Sequence, residues 1–220
     1  MVASSLISNV IPPLKTTDTV QKALALMSEF KLCHLPVVNQ TTFVGLVTEN
    51  ELVEVRDTTT QIGNLKLTLL NPFVFEDAHI YDVIKIFNQL QLSVVPVLDS
   101  NNNYLGLIAI NSILEFTAQL FAVAEPGGIL VLEIGNRDNS LAHMAQIVEA
   151  HHAEILSSYV RSFPNSTKLA VTLKINKIEL GEIIASFERY NYTVKAVYNG
   201  TQADNGTAHR FNSFMNYLNV

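Results

Sequence analysis

The sequence predicts a mixed α/β chain of the α+β kind: two tandem copies of one helix–strand–strand–helix motif, then a βαββαβ domain. Three observations predict it. The first half is self-similar at an offset of 60 residues, Glu125-Pro126-Gly127-Gly128 interrupts the pattern, and the apolar period changes after that break. Of the 220 residues, 48% are hydrophobic and 15% charged, which places the chain among globular proteins rather than disordered ones.

The repeat is read by setting Leu35-Pro36-Val37-Val38 over Val95-Pro96-Val97-Leu98. Carried backwards without gaps, Val20, Ala23, Leu24 and Met27 fall on Ile80, Val83, Ile84 and Phe87. Both sets follow i, i+3, i+4, i+7, the stripe of an amphipathic helix. Thr17 or Asp18 is the expected N-cap of the first helix and Asp77 that of the second. Forwards from each proline come a strand, a polar turn (Asn39-Gln40-Thr41-Thr42 or Asp99-Ser100-Asn101-Asn102-Asn103) and a second strand. The second turn is one residue longer, so Phe43 to Val47 match Tyr104 to Ile108 at offset 61. A helix is expected after each strand pair, over 50–56 and 111–122.

Beyond the break, 129–134 reads as a buried strand, and Leu141, Met144, Ala145 and Val148 as a helix stripe. Residues 153–161 and 168–175 alternate as strands; Leu180, Ile183, Ile184 and Phe187 form a second helix stripe, and 192–198 a last strand. That order is the ferredoxin-like arrangement. From Thr207, the spacing of Phe211, Phe214, Tyr217 and Leu218 predicts a short amphipathic helix that packs on its own protein or on a partner. The expected divisions are 1–125 for the tandem pair (motifs about 6–56 and 62–123), 126–199 for the βαββαβ domain and 200–220 for a loop and terminal helix.

Helix, apolar-Pro-Val-apolar strand, turn, Gly-apolar-apolar-Thr segment and short helix together resemble the cystathionine β-synthase (CBS) domain, here as a tandem pair. The resemblance implies two clefts that hold adenine nucleotides or related adenosyl ligands. It implies ribose and phosphate contacts from a Gly-x-x-Thr-x-x-Asp stretch, since a hydroxyl donates to phosphate and a carboxylate accepts both ribose hydroxyls. The first copy reads Gly45-Leu46-Val47-Thr48-Glu49-Asn50-Glu51, with Glu51 at the aspartate position. The candidate ligand residues are therefore Thr48, Glu51, Lys15, Pro36 and Val37, with Lys31 and Arg56 as further cations near phosphate. Read without the family, Thr48 caps the next helix, Glu51 is a first-turn carboxylate, and Pro36 shapes a strand edge. The second copy has Ala109 and Ser112 at the matching positions, and Phe75 and Gln91 in place of Lys15 and Lys31. It is expected to supply structure rather than a nucleotide site.

The βαββαβ order, with Asn136-Arg137-Asp138-Asn139-Ser140-Leu141 between first strand and first helix, resembles an ACT domain. That resemblance implies binding of an amino acid or similar small metabolite at Asn136, Asp138, Asn139, Ser140 and Leu141. Asn136 and Asn139 stand where the family has aspartate and glycine, and asparagine tolerates positive φ.

A net charge of −6 without any basic stripe argues against a nucleic-acid surface, and no apolar run approaches the length of a membrane span. With one cysteine, Cys33, there is no intramolecular disulfide and no cysteine metal cage; Cys33-His34 reads as packing rather than a catalytic pair. His151-His152 are sequence neighbours that point different ways, so no metal is expected there. Asn199-Gly200-Thr201 and Asn205-Gly206-Thr207 read as Asn-Gly turns. Phosphate-loop, nucleophile-elbow and zincin patterns do not occur, so a non-enzyme is expected. The opening Met1-Val2-Ala3-Ser4-Ser5-Leu6 has no signal-peptide pattern, and a cytoplasmic location is expected. The expected protein is a homodimeric allosteric sensor. It needs no cofactor, takes an adenine nucleotide or S-adenosylmethionine as effector, and acts on a separate regulated protein. The competing expectation is an assembly module whose ligand sites have decayed.

Overall fold

A computed structural model describes residues 1–8, 10–66, 70–135, 140–164 and 166–199. The chain divides into two units, Met1–Phe116 and Thr117–Val220; the expected boundary after Glu125 lies within the second. Among the described residues, no helix is long and apolar enough to cross a membrane.

In the first unit, α1 (Val20–Phe30) buries Val20, Ala23 and Met27, as the stripe predicts. Its N-cap is Thr19, whose hydroxyl accepts the Lys22 N–H at 3.3 Å, rather than Thr17 or Asp18. The Asp18 carboxylate is taken by the Lys15 N–H and the Lys22 ammonium. The equivalent helix α3 (Ile80–Leu90) is capped not by Asp77 but by His79, whose Nδ1 accepts the Tyr81 N–H. Thr19 and His79 are themselves 60 residues apart, so the chain turns at the same place in each copy. Both helices stop at a left-handed residue, Lys31 (φ 58°) and Gln91 (φ 52°), again at matching positions.

Each helix is followed by an antiparallel hairpin: β1 (His34–Asn39) with β2 (Thr42–Thr48), and β4 (Val94–Leu98) with β5 (Tyr104–Ala109). Each contains one bulge, which skips Val44 in one copy and Leu105 in the other. A parallel neighbour flanks each hairpin. Leu14 lies against Val37, and β3 (Val74–Phe75) pairs Val74 with Val97. The helices after the hairpins are α2 (Glu49–Val53), shorter than expected, and α4 (Ile110–Leu120).

The two copies then exchange chain. The Ser8 N–H donates to the Leu107 carbonyl of the second motif, and the Leu46 N–H of the first donates to the Leu70 carbonyl. Where the hairpins turn, the Tyr104 N–H donates to the Thr41 carbonyl, and the Phe43 and Tyr104 rings stack 6.5 Å apart. Burial pushes the Tyr104 phenol far above its ordinary pKa. One core runs through both copies, with Leu14, Met27, Leu35, Leu46 and Leu52 from the first and Val83, Phe87, Val95, Leu107 and Ile108 from the second.

The second unit is β6 (Gly128–Gly135), α5 (Leu141–Glu149), β7 (Ile155–Ser162), β8 (Lys168–Ile175), α6 (Gly181–Arg189) and β9 (Thr193–Tyr198). The antiparallel sheet has the order β7-β8-β6-β9, the ferredoxin-like topology that βαββαβ predicts. Leu130, Leu132 and Ile134 of β6 and Val171, Leu173 and Ile175 of β8 meet Met144, Ile147 and Val148 of α5 and Ile183 and Phe187 of α6. Residues 200–220, and with them the predicted terminal helix, lie outside the described residues.

Candidate functional site

The strand-to-helix junction of the first motif brings together two of the predicted ligand residues. Thr48 ends β2 in extended conformation and N-caps α2: its hydroxyl oxygen accepts the Glu51 N–H at 3.3 Å. Glu51 returns the contact, its Oε2 accepting from the Thr48 hydroxyl at 2.8 Å and from the Thr48 N–H at 3.4 Å. This capping box fixes a hydroxyl and a carboxylate side by side, both half-buried. The second motif has the same backbone turn with Ala109, which is buried, so neither group is present there. A Cβ at Gly106 would strike the Ile7 side chain, so the N-terminal segment closes tightly over β5.

The other three predicted residues do not join this junction. Leu14 donates to the Pro36 carbonyl and accepts from Val38, which sets Lys15 beside the Val38–Asn39 end of β1; Thr48 pairs with His34 at the other end. Four strand residues separate those levels, about 13 Å. Pro36 and Val37 are buried in the sheet, opposite Leu46 and Gly45.

Sequence reasoning missed a polar clasp between the motifs. The Ser93 hydroxyl oxygen accepts the Cys33 and His34 N–H groups at 3.1 and 3.0 Å, and lies 3.1 Å from His34 Nδ1. The Ser93 N–H donates to the same Nδ1, which must therefore be unprotonated. Burial lowers the pKa of His34. Ser93 is the repeat partner of Cys33, the one signal that could have marked it. Cys33 itself is exposed rather than packed; slight desolvation and the neighbouring Glu49 carboxylate push its thiol up.

In the second unit, Ser140 N-caps α5 by accepting the His143 N–H, and Leu141 is exposed at the helix start. Asn136, Asp138 and Asn139 lie outside the described residues. Beside this helix start is a cavity of about 660 Å³, lined among others by Glu133, Gly135, His143, Lys168 and Tyr192. Lys168 and Lys195 both contact the Glu133 carboxylate, at 2.6 and 3.1 Å, and hold its pKa below the usual carboxylate range.

The family model of the CBS domain matches residues 3–57 and 70–118, one match per copy of the repeat. The first unit is a tandem CBS domain pair. Several solved structures are similar in fold to the CBS pair. A CBS domain pair/ACT domain protein from Thermotoga maritima is 23% identical over 53% of this chain and 96% of its own, with a TM-score of 0.48. The CBS domains of a transcriptional regulator from Streptococcus pneumoniae are 24% identical over 52% and 98%, at 0.45. CBSX2, solved in complex with AMP, is 21% identical over 54% and 96%, at 0.44.

Proposed function

We propose that this protein is a non-enzymatic ligand sensor whose CBS pair binds an adenine nucleotide or S-adenosylmethionine at the first motif. The observation that carries the proposal is the Thr48–Glu51 capping box, which holds a hydroxyl and a carboxylate at one strand end. A ribose offers two neighbouring hydroxyls to the carboxylate, and Thr48 can turn its hydroxyl to a phosphate. Only the first motif has both groups, so one nucleotide per chain is expected. The βαββαβ domain is ACT-like in this reading and takes a small metabolite near Ser140 and Leu141. The cavity beside Glu133, Lys168 and His143 supports that placement. The output passes to a separate regulated protein through linked binding equilibria.

Isothermal titration with AMP, ADP, ATP and S-adenosylmethionine tests the nucleotide proposal. One site per chain is expected, weakened about tenfold or more in Glu51→Ala, because the ribose loses a charge-assisted acceptor. Heats that stay flat with all four compounds would overturn it. That result would favour an assembly module, a reading supported by Thr48 and Glu51 already satisfying each other.

A further inference from the structure

We infer that the groove between α5 and α6 is a binding site for a small oxyanion, a carboxylate or phosphate carried on a short apolar body. The site lies in the second unit, outside the CBS pair, and adjoins the cavity at the start of α5, with which it shares His143 and Tyr190. It is a cavity of about 290 Å³, at the small end of ligand pockets. Its apolar wall is Ile147 and Ala150. Its polar groups come from three places: His143 and Gln146 on α5, His151 in the turn after it, and Ser186, Arg189 and Tyr190 on or just after α6.

Ser186 is the residue that organises the groove. It lies between Ile183 and Phe187 along the buried side of α6, only 4% exposed, where an apolar residue would both favour the helix and avoid desolvating a hydroxyl. The hydroxyl is instead the hub of the groove. The Arg189 guanidinium donates to it at 2.9 Å, and His151 Nε2 lies 2.8 Å away. Its effect is to draw a cation and an imidazole toward one another over the groove. The Ser186 bond takes one of the five N–H donors of the guanidinium, a fork suited to planar oxyanions. The Tyr190 ring stacks beneath the guanidinium, 5.9 Å from its carbon, and braces it. Glu182, with its carboxylate 3.7 Å from His151 Nδ1 and its side chain 79% exposed, is an acidic neighbour that an incoming anion must compete with.

The test is a ¹H–¹⁵N NMR titration of the full chain with inorganic phosphate and, separately, with butyrate. Saturable shifts are expected at the amides of Gln146, Ala150, Ser186 and Tyr190 with at least one probe, and which probe saturates tells phosphate from carboxylate recognition. Arg189→Gln should weaken that binding about tenfold, since it removes the charge and the fork together. Glu182→Gln should strengthen it. Arg189 is exposed, so the spectrum of the variant reports directly that it folds. No saturation at these amides with either probe, or an unchanged titration in Arg189→Gln, would overturn the inference. Neither outcome bears on nucleotide binding by the CBS pair, which is read by a different titration.

Discussion

His34 and Ser93 show how much one pair of residues can decide. Two backbone N–H groups and an imidazole nitrogen from the first motif meet a single serine of the second. Ser93→Ala leaves the Cys33 and His34 N–H groups without their acceptor and is expected to cost about 1–3 kcal/mol, readable in urea denaturation. The clasp also has a pH sense. Folding lowers the His34 pKa, so the unfolded chain takes up its proton first as pH falls. The stability His34 contributes is therefore present above its unfolded pKa, about 6.5, and drains away below it. The melting temperature should drop between neutral and mildly acidic pH, and the drop should shrink in His34→Gln. An equal drop in that variant would assign it to other histidines.

Among the elements, the apolar stripes were legible because burial selects them directly: Val20, Ala23 and Met27 recur as Ile80, Val83 and Phe87 and are buried in both copies. The caps were less so. Position 79 holds a histidine, which cap preferences do not nominate, and Asp18 looks like a cap but is held by Lys15 and Lys22. Of the candidate nucleotide site, only the Thr48–Glu51 pair was legible, because both residues lie within one turn. The separation of Lys15 from them depends on a strand register that spacing alone does not carry. The glycine that precedes β6 is required for a steric reason. Gly127 has φ 152°, and a Cβ there would run into the Ile175 carbonyl oxygen. Gly127→Ala should destabilise the second unit by about 2 kcal/mol or more, since backbone strain and backbone collision add. A denaturation midpoint within error of the parent would contradict this.

For the whole molecule, the edge strand β7 is the feature with the widest reach. It pairs only with β8 among the described residues and leaves Tyr159 and Val160 exposed. Exposed edges of this length invite pairing with another strand. We therefore expect a homodimer in light scattering, with Tyr159→Lys and Val160→Lys together shifting it toward monomer if β7 is the contact. A monomeric mass for the parent chain would remove the expectation.

The crossed chains of the CBS pair have a consequence for biosynthesis. The hairpin of the first motif acquires its outer neighbour only when residue 70 becomes available, and Ser8 finds its place only against residue 107. A nascent chain thus holds the first hairpin without its flanking partner, while residues 1–4 find theirs at 76–80 and Ser8 only at residue 107. The two motifs should mature in a single late event rather than in succession. A stop codon placed between them should yield a fragment prone to degradation, recoverable only when the other half is synthesised alongside it.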